Sequence, residues 1–152
     1  MHRPLRLINA GLLLLIAACA STPQATLERD QEAKNFEPQP ATSTVYVFRP
    51  DFPAPEEDTV LWVDGRPIGA TLPRTYFRIH MNPGSHYFSG FGSDNGTIRL
   101  QTRAGEIYFI RVQTVAGRSV FEHVDAANGR RELTACCGLL ENWRPGQRPL
   151  LR

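Results

Sequence analysis

From Thr44 to Ala135 the apolar residues fall into short runs of β-branched and aromatic side chains, separated by Gly, Pro, Asn and Asp. That spacing constrains the fold most, because runs of this length bounded by turn residues read as the strands of a sandwich or small barrel. Val45-Tyr46-Val47-Phe48 is apolar on both faces, as a central strand would be, and Pro50, Pro53 and Pro55 then break the chain. Val60 to Val63 leads into Asp64-Gly65, a two-residue hairpin signal, since such a turn requires positive φ. Pro67 restricts the return strand, Ile68 to Thr71, to an edge or ragged pairing. Tyr76 to Met81 alternates, which predicts Phe77, Ile79 and Met81 as core and Tyr76, Arg78 and His80 on the opposite face. Asn82-Pro83-Gly84 turns into His86 to Ser89, and the glycine-rich stretch around Asp94-Asn95-Gly96 predicts a flexible connection to Ile98 to Thr102. Glu106 to Thr114 is the longest β run. Asn128-Gly129 predicts a last hairpin between Val120–Val124 and Arg131–Thr134. The sum is an all-β, single-domain β-sandwich of about seven or eight short strands over residues 44–135. One core of that size supplies roughly 5 to 14 kcal/mol of net stability. Helix–strand alternation and internal repeats are both missing from the pattern.

The N-terminus has a different character. Met1 to Arg6 carries two arginines and no acid, and Leu7 to Ala18 is an apolar run centred on Leu12 to Ile16. About 20 residues are needed to span a bilayer as a helix, so this run reads as a signal peptide instead. Ile16-Ala17-Ala18-Cys19 puts an aliphatic residue three places before a cysteine and small residues at the next two. This resembles the lipobox of bacterial lipoproteins. The resemblance implies cleavage between Ala18 and Cys19 and alkylation of the Cys19 thiol by a diacylglyceryl group, with further acylation of the new N-terminus. Several acyl chains hold a protein firmly where one gives only marginal binding. Ala20 differs from the aspartate of inner-membrane retention signals, so the expected location is the outer membrane, facing the periplasm.

Without residues 1–18, which include Arg3 and Arg6, fifteen basic side chains face fifteen acidic ones. The mature chain thus has no net charge with which to hold nucleic acid. Residues 19–43 read as the lipidated N-terminus and a flexible linker, rich in Gln, Pro and Thr, with only Leu27 and Phe36 as large apolar groups. A free coil from Ala20 to Ser43 would reach about 25–30 Å. A short helix from Leu27 to Asn35 is the alternative there, although isolated helices of that length are marginal.

Five motifs in order carry a second resemblance. They are Val45-Tyr46-Val47-Phe48-Arg49-Pro50, Val63-Asp64-Gly65-Arg66-Pro67-Ile68-Gly69, Tyr76-Phe77, Pro83-Gly84-Ser85-His86 and Ala104-Gly105-Glu106-Ile107-Tyr108-Phe109. Together they resemble the bacterial envelope lipoproteins of the family called domain of unknown function 2846 and, more distantly, PEGA-type surface modules. What this implies is a small β-sandwich in the cell envelope; it brings no catalytic residues.

The residues themselves offer few routes to chemistry. His80 and His86 flank the Asn82-Pro83-Gly84 turn and, in a hairpin, would face each other across two strands; a zinc site needs a third or fourth ligand. Asp64-Gly65 and Pro83-Gly84 are accounted for by turn geometry. Serine elbows, phosphate loops and cofactor motifs are not present in the sequence, and Glu56-Glu57-Asp58 reads as a solvated loop. Cys136 and Cys137 are neighbours, which pair with strain, so an intermolecular bond or two buried thiols are the alternatives; a redox role would want Cys-x-x-Cys spacing. In the tail, 136–152, Trp143 with Arg144 and Arg148 offers a contact for a partner or an anionic surface, or an end folded over an open sheet edge. The function expected is therefore that of a non-catalytic binding or structural module, held to the membrane by lipid, without a metal or cofactor. The alternatives are an accessory subunit that pairs a strand edge with another envelope protein, and a metal or redox protein using His80/His86 or Cys136/Cys137.

Overall fold

The computed structural model describes residues 22–50, 59–90 and 96–142. Within these residues the chain forms α1 (Leu27–Ala33), β1 (Ser43–Arg49), β2 (Thr59–Val63), β3 (Arg66–Thr71), β4 (Thr75–Met81), β5 (Gly84–Ser89) and β6 (Thr97–Thr102). It continues with β7 (Ile107–Val115), β8 (Arg118–Val124), α2 (Ala126–Cys136) and β9 (Gly138–Leu139). The strands build two sheets, β8-β7-β1-β4-β9 and β3-β2-β5-β6, so the all-β sandwich expected from the spacing is the fold, with nine strands described.

β1 lies at the centre of the larger sheet, between β4 and β7, and every one of its residues is buried. Its alternation feeds two cores. Val45 and Val47 point between the sheets, where they meet Leu61, Val63, Phe77, Ile79, Phe88, Leu100, Ile110 and Val112. Tyr46 and Phe48 point the other way, into a layer with Phe36, Tyr76, Phe109 and Leu133 that α1 and α2 cover. Continuous apolarity in β1 is thus the signature of a strand with something packed on each face. β4 repeats the pattern. Phe77 and Ile79 are in the inter-sheet core as its alternation predicts, and Tyr76 is equally buried on the opposite face.

The hairpin at Asp64-Gly65 takes positive φ at both residues, 49° and 76°, as its sequence requires. β3 is an edge strand, and its pairing with β2 shifts register between Leu61 and Trp62, consistent with Pro67.

Three expectations are corrected. Asn128-Gly129 makes no hairpin: Asp125 caps α2 by accepting from the Asn128 amide at 3.0 Å, and Arg131–Thr134 is helical. Gly129 serves a close helix–sheet approach instead, with Phe109 directly beneath it. Second, from Thr22 onward the segment expected to be a free linker is part of the fold. The aromatic layer on β1, β4 and β7 needs a cover, and Ala33 and Phe36 supply it. Third, Cys136 and Cys137 are joined to each other, at the point where α2 gives way to extended backbone at Cys137. β1 and β7 pair in parallel without a helical crossover; between them the chain visits the smaller sheet twice, as β2–β3 and, after returning to the larger sheet for β4, as β5–β6.

Candidate functional site

The N-terminal segment enters the sandwich along one edge, at β3 and β9. Thr22 is only 3% exposed. Its hydroxyl accepts from the Ala70 amide of β3 at 2.7 Å, and its methyl lies 3.1 Å from where a Cβ on Gly69 would stand. A side chain at 69 would collide with the Phe77 ring as well, at 2.7 Å, so glycine here lets Thr22 and Phe77 meet over β3. The next residues pair with the end of the chain. The Pro23 carbonyl accepts from the Glu141 amide at 2.8 Å, Gln24 bridges antiparallel to Leu140, and the Ala25 amide donates to the Leu139 carbonyl at 2.9 Å. β9 is thereby flanked by β4 on one side and by this strap on the other, so the edge of the larger sheet is covered.

α1 is pinned beside that edge by charge. The Asp30 carboxylate accepts from the Tyr76 hydroxyl at 3.0 Å, from the Leu139 amide at 2.9 Å and from Lys34 Nζ at 2.7 Å. Burial, with the Asp30 carboxylate next to it, pushes the Tyr76 phenol well above its ordinary range. Arg78 makes two 2.8 Å bonds to the Glu32 carboxylate, which lowers the Glu32 pKa, and Arg29 pairs with Glu141. A shallow depression between these side chains is lined by Arg29, Arg78, Leu139, Leu140, Glu141 and Asn142. Its arginines are already matched to carboxylates.

The two histidines are not brought together. β4 and β5 belong to different sheets, so the Asn82-Pro83-Gly84 turn carries the chain between layers and does not close a hairpin. His80 Nδ1 lies 3.1 Å from the Thr44 hydroxyl on the larger sheet, and burial followed by the nearby Arg78 charge lowers its pKa. His86 sits on the smaller sheet with Nδ1 2.6 Å from Asp64 Oδ2 and Nε2 2.7 Å from the Asn82 carbonyl. Burial opposes its charge, but these two acceptors outweigh burial and raise its pKa. The metal alternative is left without a geometry: among the described residues no group of three or more His, Cys, Asp and Glu side chains converges.

The remaining charged residues join elements. Arg111 of β7 binds Glu122 of β8 at 2.7 Å and Glu132 of α2 at 2.9 Å. Arg49, named above only as part of the first motif, is fully buried, and its Nη1 donates to the Thr71 carbonyl at 2.9 Å across the two sheets. Nothing in the local pattern distinguishes it from a strand-ending arginine. The outward face of the smaller sheet carries Tyr87, 42% exposed, with the Arg99 guanidinium 6.0 Å from its ring centre on the neighbouring strand. Cys137 is buried, its sulfur 3.7 Å from the Arg49 carbonyl oxygen. Ala18, Cys19, Trp143, Arg144 and Arg148 lie outside the described residues.

Fold and edge together define a two-sheet sandwich with helices over one face and the N-terminal segment built into its side. No family model matches the chain, and no solved structure matches it. It is 32% identical over 103 residues to an uncharacterized protein of Haemophilus influenzae. That similarity takes in 66% of this chain and 61% of the relative, so the chain spans less than two thirds of the relative's length.

Proposed function

We propose that this chain is a lipid-anchored lipoprotein of the bacterial cell envelope, attached through Cys19, whose β-sandwich is a non-catalytic binding or structural module. The observation that carries the reading is the leucine-rich run closed by Ile16-Ala17-Ala18-Cys19. A run of that length does not serve as a spanning helix, and the residues before the cysteine suit a lipoprotein signal peptidase. No helix among the described residues is long and apolar enough to cross a membrane. The alanine after Cys19 favours the outer membrane, with the domain on the periplasmic side.

The non-catalytic part of the reading is supported by what the ionisable groups do. Asp64–His86, Glu32–Arg78 and Arg111 with its two glutamates are accounted for by the elements they join, and Asp30–Lys34 by the last turn of α1. The motifs in which the chain resembles the envelope lipoproteins of domain of unknown function 2846 fall likewise on strands and turns. We read the chain as similar to them in location and scaffold.

Fractionation of cells expressing the wild type and Cys19→Ser tests the proposal. The wild type should sediment with outer-membrane vesicles and need detergent for release, while Cys19→Ser should lose that association. Equal distribution of the two forms would contradict it. Proteins that copurify with the wild type and are lost with Cys19→Ser would mark its partners as envelope proteins reached through the anchor.

A further inference from the structure

We infer that the sandwich edge formed by the Thr22–Ala25 strap, β3 and β9 lies flush on an anionic phospholipid surface. This rests on the reading that Cys19 carries the lipid. Three observations lead to it. The first is chain length. Thr22 is buried and hydrogen-bonded to β3, and Pro23 and Ala25 are bonded to Glu141 and Leu139, so the chain is fixed from Thr22 onward. Cys19 precedes Thr22 by three residues, and three fully extended steps span at most about 10–11 Å. The free coil expected from composition, with a reach of about 25–30 Å, is not available to the part of the chain that is built into the fold. A diacylglyceryl group on Cys19 would therefore bring this edge down to the headgroups.

The second observation is an apolar side chain in the right place. Leu27 is 66% exposed, at the first turn of α1 and two residues beyond Ala25. The Arg29–Glu141 pair keeps that turn beside the end of β9. A leucine held at the headgroup level gains burial in the acyl boundary that it lacks in water.

The third is charge. The chain leaves Asn142 directly after Glu141, whose amide is bonded to Pro23. The residues that follow in sequence include Trp143, Arg144, Arg148 and Arg152 and no acid. The basic stretch 143–152 thus follows in sequence from the residue pair that meets the strap. Basic residues near an anionic leaflet are attracted to it, and tryptophan favours the interface.

The test uses the full-length, lipidated protein in phosphatidylethanolamine–phosphatidylglycerol vesicles. In a Trp62→Phe, Trp143→Phe background, Leu27→Trp reports quenching by lipids brominated near the headgroup. We expect at least a twofold loss of fluorescence, abolished when twelve Gly/Ser residues are inserted between Ala20 and Ser21. Neutron reflectometry of the unsubstituted protein on a supported bilayer gives a readout independent of those variants. It should show protein density meeting the headgroups, and a solvent layer only with the insertion. A solvent gap, or unquenched fluorescence from the Leu27→Trp variant, in a protein whose Cys19 lipid is verified by mass would overturn the inference and leave the anchor standing. Quenching unaffected by the insertion would show that chain length does not set the contact, and would overturn the inference as well. An unlipidated Cys19 would overturn both.

Discussion

A methyl group at position 129 would fall 2.3 Å from Cγ and 2.5 Å from Cβ of Phe109, distances that no packed side chain tolerates. Gly129→Ala should therefore destabilise the domain by roughly 1–3 kcal/mol, although alanine is the better helix former. Urea unfolding would show this as a lower midpoint with an unchanged slope. His86 makes a prediction about pH. Both of its nitrogens face oxygen acceptors, an arrangement that only the doubly protonated ring satisfies. Its raised pKa means that its contribution is complete below the unfolded value of about 6.5 and is lost as pH rises through the folded value. The Asp64 carboxyl, where burial is outweighed by the His86 and Tyr87 hydrogen bonds, is lowered, so that half of the pair fails only in acid. His80 has the opposite sign. With its pKa lowered by burial and Arg78, it withdraws stability as pH falls below about 6.5. The stability gap between wild type and His86→Asn should be widest near pH ~5.5 and shrink toward pH ~9. A gap that grows with pH would contradict the pairing.

At the scale of elements, α1 depends on its contacts and not on its length. Seven residues do not hold a helix in water, and the Asp30 carboxylate, bonded to Tyr76, Leu139 and Lys34, fixes it between β4 and β9. Asp30→Ala leaves the Leu139 amide and the Tyr76 hydroxyl without that acceptor and should cost roughly 1.5–3 kcal/mol. Amide exchange should accelerate in α1 and at Leu139, while β1 and β7 keep their protection. Phe36 fills the same layer, stacked edge-on against Tyr46 and Phe109, and Phe36→Ala should cost about 3–5 kcal/mol. These elements also mark the limit of the sequence reading. β1, the Asp64-Gly65 hairpin, the edge strand β3 and the long β7 were legible because each carries its own local signal. α1 offered only a weak one, since its partners lie on strands up to 109 residues away, as the Asp30–Leu139 bond shows. α2 was misread because Asn-Gly favours a turn locally, while Asp125 as a cap and Phe109 beneath Gly129 decide for helix.

For the molecule as a whole, the sandwich was legible and its third layer was not. Apolar residues on both faces of β1 predicted cover on two sides, yet nothing in residues 22–43 read alone showed that this segment provides part of it. The candidate site divides in the same way. The cysteine motif is a local signal, whereas the strap that binds Thr22 to Ala70 and Pro23 to Glu141 depends on long-range pairing. His80 and His86 looked like neighbours because a turn separates them, and the change of sheet at that turn parts them. The proposed attachment depends on the chemistry of one sulfur. Mass spectrometry of the N-terminal peptide of protein taken from the envelope addresses it directly. A lipid-anchored chain gives a peptide that begins at Cys19 with the added mass of a diacylglyceryl group and an N-acyl chain; a peptide that begins at Met1, or a Cys19 with no added mass, would contradict the anchor.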